Sequence, residues 1–176
     1  TKHVPPDGQQ IFRLGICRGS RPRQITTMHT PPADRMPHIV VLGGGFAGIQ
    51  FCRSLPPALA RITLIDRENH HVFQPLLYQV ASAGLSAVDI AQPIRGLFAD
   101  RPNFAVIMAE VTAVDLAQRR VRHTRGELAY DFLVVGLGSA TSYFGHDDWA
   151  QHALGLKSLD DALHIRRRIL SAFEKA

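Results

Sequence analysis

Six consecutive residues could do chemistry: Gly43-Gly44-Gly45-Phe46-Ala47-Gly48, which satisfy the spacing GxGxxG. Each glycine has a reason in a turn that cradles a dinucleotide. The first permits a tight bend, Gly45 has no Cβ and lets a pyrophosphate reach the backbone, and Gly48 lets a helix lie close to the strand before it. The helix that opens at this turn presents free N–H groups and a partial positive charge to the phosphates. Glycine-rich turns are common, so the context matters. Here an apolar run precedes the turn and helical spacing follows it. An acid, Asp66, then ends the next apolar run, 18 residues beyond Gly48, near the expected ~20. Asp66 can accept hydrogen bonds from ribose 2′- and 3′-hydroxyls and would repel a 2′-phosphate. Arg67 beside it weakens that discrimination, or is an exposed strand-end cation. The alternative is a purely structural strand–turn–helix.

These residues need a scaffold. "HIVVLG" suits a buried parallel strand, and "FAGIQFCRSL" places Ile49, Phe51, Cys52 and Leu55 at helical spacing before "SLPPAL" ends the helix. "RITLID", 61–66, is the second strand. Strand, helix, strand in this length implies a parallel sheet with a right-handed crossover. "RENHHVFQPLLYQVASAGLS" is mixed polar and aromatic. "SAVDIAQPIRGLFAD" has helical spacing, with Ser86 as N-cap and a proline inside it. "FAVIMAEVTAVDL" reads as two strands, and "RRVRHT" and "ELAYDFLVVGLG" as two more, with turns at Ala117-Gln118 and Arg125-Gly126. "SLDDALHIRRRILSAFEKA" is a helix capped by Ser158, with Asp161 at the acid position of a capping box. Its expected apolar stripe is Leu159, Leu163, Ile169, Leu170 and Phe173. Arg166, Arg167 and Arg168 form a solvated face or touch anionic lipid. The fold class is α/β: a Rossmann-like doubly wound parallel sheet with an inserted β-meander.

Composition narrows the function. The 176 residues are 45% hydrophobic, which suits one domain with a real core and argues against wholesale disorder. No apolar run approaches the ~20 residues that span a bilayer; a peripheral association stays open. Of the net charge of +5, residues 1–35 hold six Lys/Arg against two Asp/Glu, and the remainder fourteen against thirteen. The body is therefore nearly neutral and calls for no nucleic acid. Residues 1–36 hold five prolines and no period, which predicts a disordered leader. It is either a misassigned start, with Met28 or Met36 as the true one, or a targeting peptide. Cys17 and Cys52 lack metal or CxxC spacing, and Cys52 reads as a reduced packing thiol. With only His70 and His71 adjacent among nine histidines, no metal is expected.

Residues 38–176 resemble the N-terminal part of type II NADH dehydrogenases, single-chain NADH:quinone oxidoreductases of the two-dinucleotide-domain flavoprotein superfamily. The resemblance rests on "IVVLGGGFAG", "LIDRENHHVFQPLLYQVASAGLS", "AEVTAVDLAQRRV" and "YDFLVVGLGSATSYFG", with "LKSLDDALHIRRRIL" similar to the family's linking helix. It implies that the glycine turn holds FAD. Gly43, Gly45, Phe46 and Ala47 would surround the pyrophosphate, with Gly48 behind them. Asp66 and Arg67 would stand at the adenosine ribose, and Val111 at the adenine edge through its backbone. Gln74 would lie on the segment passing the flavin. Gly136, where alanine is common, and Gly138 would form the returning turn. The implied organisation is a leader over 1–36, a FAD-binding domain over 37–156 and a linking helix over 157–176 toward an NADH-binding domain. "GLGSAT" is no second GxGxxG, so the chain looks like part of a truncated two-domain flavoprotein, inactive alone. In the complete enzyme, NADH would reduce the flavin and the flavin a quinone, in respiratory electron transfer. The implied setting is peripheral, on the cytoplasmic side of a bacterial-type plasma membrane rather than mitochondrial, with a homodimer left open. A sulfide:quinone reductase would need more cysteines. The rivals are a superfamily oxidoreductase with another acceptor and a non-catalytic dinucleotide-binding module.

Overall fold

The computed structural model describes residues 35–175, so the expected leader falls outside the described residues as far as residue 34. The first strand, β1 (His38–Leu42), is HIVVL and is buried at every position. Burial on both faces suits the middle of a parallel sheet. The chain turns at the glycines into α1 (Phe46–Ser54) and returns as β2 (Arg61–Asp66), parallel to β1 with Ile39 opposite Ile62. Pro56 and Pro57 end α1. Its last carbonyls are met from a distance: the Arg101 guanidinium donates to Leu55 O at 2.6 Å and also to Cys52 O. Cys52 itself is fully buried, and burial pushes its thiol pKa up to about 12, so it packs as a neutral thiol, as expected.

The next segment is more broken than its spacing suggests. It forms β3 (His70–Val72), a 3-10 turn (Gln74–Leu76), α2 (Leu77–Ala81), α3 (Ala87–Ile90), β4 (Ala91–Pro93) and α4 (Ile94–Leu97). The single helix expected over 86–100 is therefore two short helices divided by a strand. Pro93 is the physical reason: it has no N–H for a helix interior and steers Gln92 away from the helical region. Ala91–Pro93 instead pair antiparallel with His70–Val72. Ser86 does cap α3, and Asp89 returns the bond.

Four more strands follow: β5 (Phe104–Met108), β6 (Val111–Asp115), β7 (Arg120–His123) and β8 (Gly126–Ala129). Beyond them are β9 (Phe132–Val135) and α5 (Leu159–Phe173). The parallel sheet has the order β5-β2-β1-β9, and β6-β7-β8 form the separate antiparallel meander. The expected fold class holds. The one strand expected within "ELAYDFLVVGLG" is two, because the chain crosses between sheets at Tyr130 and Asp131. Asp131 fixes that crossing: its carboxylate accepts the His38 N–H at 2.7 Å and pairs with Arg35 at 2.7 Å.

Alternation along β1 divides the core. Ile39 and Val41 pack with Ile49, Cys52 and Ile94 on the helix side. Val40 and Leu42 pack with Val121 of the meander and with Tyr130 at the crossing on the other. A third cluster joins α5 to α2 through Ala162, Leu77, Val80 and Ala81, with Leu159, Leu163 and Ile165 against it. The stripe expected on α5 is therefore right only in its first half. Ile169, Leu170 and Phe173 are exposed, because the five-residue α2 is too short to cover a 15-residue partner. Among the described residues no helix is long and apolar enough to cross a membrane.

His38 ties the layers together. Its Nδ1–H donates to Ala129 O at 2.9 Å, and its Nε2 accepts from the Thr63 hydroxyl at 2.8 Å. Burial, aided by the Arg61 charge, holds its pKa below the ordinary 6.5. The unfolded chain thus takes up this proton more readily, so stability is complete above pH 6.5 and falls as the pH drops below it. We expect the urea midpoint to decline between about pH 7.5 and about pH 5.5, and His38→Gln to flatten that decline; equal slopes in the two proteins would remove His38 as the cause.

Candidate functional site

The glycine turn sits where β1 ends. Gly43 has φ +97°, and a Cβ there would collide with the Gly136 carbonyl. A Cβ on Gly48 would drive into the Gly43 carbonyl oxygen and meet Val41 at 3.3 Å. Both positions need glycine because backbone lies against backbone, as the spacing implied. Gly43 N–H donates to Ile65 O at 2.8 Å, and Gly136 N–H to Leu42 O at 2.8 Å. Strands β2 and β9 thus hold the turn from both sides.

Gly45 differs. Its φ is −73°, open to any residue, and a Cβ there would meet nothing within 4 Å. The absence of a side chain at this position keeps space clear in front of the backbone. Gly45 is also the N-cap of α1, makes no side-chain capping bond, and leads into a first turn without an acid. The N–H groups of that turn face outward without a capping carboxylate from their own helix. This geometry fits an external anion such as a diphosphate.

Asp66 is aimed by the turn. One carboxylate oxygen accepts the Gly44 N–H, and the other accepts the Glu68 N–H at 2.7 Å. The acid is thereby fixed in direction, with lone pairs left for hydroxyl donors. From the opposite side, His71 Nδ1 donates to Gly44 O at 2.9 Å. Phe46 stands edge-on to His71 and to Phe73, at centroid distances of 5.1 and 5.6 Å.

These groups open on a cleft of about 640 Å³. Of the residues marked out in the sequence, Gly43, Gly45, Phe46 and Ala47 line it. So do Asp66, Gln74, Gly136 and Gly138. Gly48, Arg67 and Val111 do not. Gly48 works behind the wall, Arg67 is exposed past the end of β2, and Val111 packs beside Ala109 and Val121 at the head of the meander. Beyond the ridge of Phe46 and Ala47 lies a second hollow, of about 710 Å³, containing neither Asp66 nor the three leading glycines.

Two contributors escape a sequence reading. The first is the His71–Phe46–Phe73 support; the closeness of His71 and Phe73 in a mixed polar and aromatic segment was the available signal. The second is the start of α5, whose Lys157, Ser158 and Asp160 form the far wall of the cleft. Gln74 reaches it, Nε2 donating to Lys157 O at 3.4 Å. There the Ser158 hydroxyl accepts Asp161 N–H at 3.1 Å, and the Asp161 carboxylate accepts Ser158 N–H at 2.9 Å. Burial opposes that carboxylate's charge, but the Lys157 and Ser158 bonds outweigh it and keep its pKa low. No three His, Cys, Asp or Glu side chains among the described residues could share a metal ion.

The chain is similar to known proteins over most of its length. The chain is 44% identical over 160 residues to the type II NADH:quinone oxidoreductase Ndh of Mycobacterium tuberculosis, covering 88% of this chain and 34% of that one. The structure of NDH2 from Plasmodium falciparum in complex with NADH matches with a TM-score of 0.74 at 28% identity, covering 80% of this chain and 30% of that one. The sulfide:quinone oxidoreductase of Aquifex aeolicus matches with a TM-score of 0.70 at 25% identity, covering 78% and 32%. The chain thus spans about a third of the length of the relatives it matches. The resemblance to type II NADH dehydrogenases read from the motifs is borne out. Residues 37–173 match the model for pyridine nucleotide-disulphide oxidoreductases, and the chain belongs to that family.

Proposed function

We propose that this chain is the FAD-binding part of a type II NADH:quinone oxidoreductase. The observation that carries the reading is the bare start of α1, open at Gly45 and faced by an anchored Asp66. The N–H groups of residues 45–47 bind the diphosphate, Asp66 accepts the adenosine ribose hydroxyls, and Gly136 and Gly138 bound the cleft from β9. Gln74, braced on Lys157, orients the flavin end. Arg67 and Val111 stand further back, toward the ribose and adenine. FAD, when bound, supplies hydride acceptance from NADH and electron delivery to quinone; the protein's part is to bind and direct it.

In this reading residues 37–156 form the FAD-binding unit, and 157–176 lead toward an NADH-binding unit like those of the longer relatives. A peripheral seat on the cytoplasmic face of a plasma membrane, and pairing of two copies, belong to the same proposal. The apolar side chains left exposed on late α5, such as Leu170 and Phe173, are surface that such association would cover. Cys52, the one cysteine among the described residues, is buried and does not line the cleft, so the described residues offer no thiol there for a sulfide acceptor.

Asp66→Ala removes an acceptor from the ribose and from the glycine turn together. Charge-assisted bonds are worth ~1.5–3 kcal/mol, so FAD affinity should fall about tenfold or more. An unchanged dissociation constant by fluorescence titration would sink the ribose assignment. Gly45→Val should fold normally, since its φ of −73° suits valine, yet bind no FAD, because the side chain fills the space the diphosphate needs. A folded variant that stays yellow refutes that placement. Expressed alone and given FAD, the chain should not oxidise NADH with a soluble quinone, because it carries one dinucleotide turn where two are needed. Turnover would place the NADH site within these 176 residues.

A further inference from the structure

The cleft poses a charge problem. Its lining residues include three acids, Asp66, Glu68 and Asp160, and a single Lys or Arg, Lys157. A diphosphate would bring two more negative charges at neutral pH. The two helices that begin at the cleft are not equivalent. At α1 no side chain caps the start and no acid occupies the first turn. At α5 the first turn contains Asp160 and Asp161, and Asp161 already accepts the Lys157 and Ser158 N–H groups at 3.0 and 2.9 Å. The positive end of α5 is thus neutralised by its own helix, and what that wall offers an anion is the Lys157 ammonium. The Lys157 backbone is pinned on both sides, its N–H by Asp161 and its carbonyl by Gln74. Its side chain is exposed and in no ion pair among the described residues.

We propose that Lys157 is the cation that closes over the cofactor's diphosphate from the wall opposite α1. The inference rests on the FAD reading of the cleft. The α1 start supplies directional N–H donors, and Lys157 supplies the net charge the lining otherwise lacks. A lysine suits this role, since a flexible stem and a point charge follow a phosphate without needing fixed geometry.

The test uses the 176-residue chain, with FAD binding read by fluorescence and ADP and adenosine by competition against FAD. Lys157→Met keeps the aliphatic stem and removes the charge. It should weaken FAD and ADP alike by roughly five- to tenfold, as for one charge-assisted contact near solvent. Adenosine affinity and the thermal midpoint should be unchanged, and the salt dependence of FAD binding shallower than in the wild type. Lys157→Arg should restore most of the affinity. Full ADP affinity in Lys157→Met overturns the proposal, whether or not FAD is weakened. Equal losses for adenosine and ADP overturn it also, since they reveal a structural effect. A wild-type chain that binds neither FAD nor ADP removes the cofactor reading itself, and the role of Lys157 with it; wild-type binding with an indifferent Lys157→Met removes the role of Lys157 alone.

Discussion

Three stretches of backbone meet at the end of β1 with no side chain between them. Gly43 bends at positive φ beneath the Gly136 carbonyl, and Gly48 brings α1 down onto the Gly43 carbonyl. Even at Gly136, a Cβ would meet Leu42 O at 3.3 Å and Gly48 N at 3.4 Å. Everything else at the site depends on this contact. It sets the angle at which α1 leaves the sheet, and so the direction in which its first N–H groups point. It also brings β9 close enough for Gly136 and Gly138 to border the same cleft as Asp66, which ends β2 two strands away in the sheet order.

The polar groups around the contact divide the work. Asp66 closes the turn through Gly44 and keeps spare acceptor capacity, so the group that would recognise a ribose also stiffens the loop that would hold the phosphates. His71 does the same from the other side through the Gly44 carbonyl. A loop bonded on both faces before any ligand arrives loses little conformational freedom on binding. The two helix starts at the cleft show the complementary choice: α5 satisfies its own first turn, whereas α1 leaves its turn to whatever enters.

How much of this could be read from the residues follows the range of the interactions. The strand, turn, helix and acid over 38–66 were legible because their signals are local: a β-branched run, glycines at fixed spacing, prolines, then a second run ending in Asp66. The meander and the Ser158–Asp161 cap were legible for the same reason. Helical spacing misled over 86–100, where Pro93 breaks the helix and Ala91–Pro93 pair with His70–Val72 instead. It misled again along α5, where the length of a neighbouring helix decides what is buried. Lys157 was invisible as a site residue because only the docking of α5 on α2 carries it to the cleft. Arg67 and Val111 stand apart from the cleft lining, a placement that no spacing rule contains.

The crossing at Asp131 has a consequence for how the molecule assembles. Its carboxylate meets the His38 N–H across 93 positions of sequence, and β9 lies directly against β1. The centre of the parallel sheet is therefore completed by a strand made long after β1. Until β9 arrives, the glycine turn lacks the Gly136 bond to Leu42, and β1, buried at every position in the finished fold, has an open edge. Contacts of such long range are slow to form, because loop closure must be met before they stabilise anything. A nascent chain that has reached Tyr130 already holds every residue of the dinucleotide turn and its acid, and still lacks the strand that keeps β1 from pairing with a stranger.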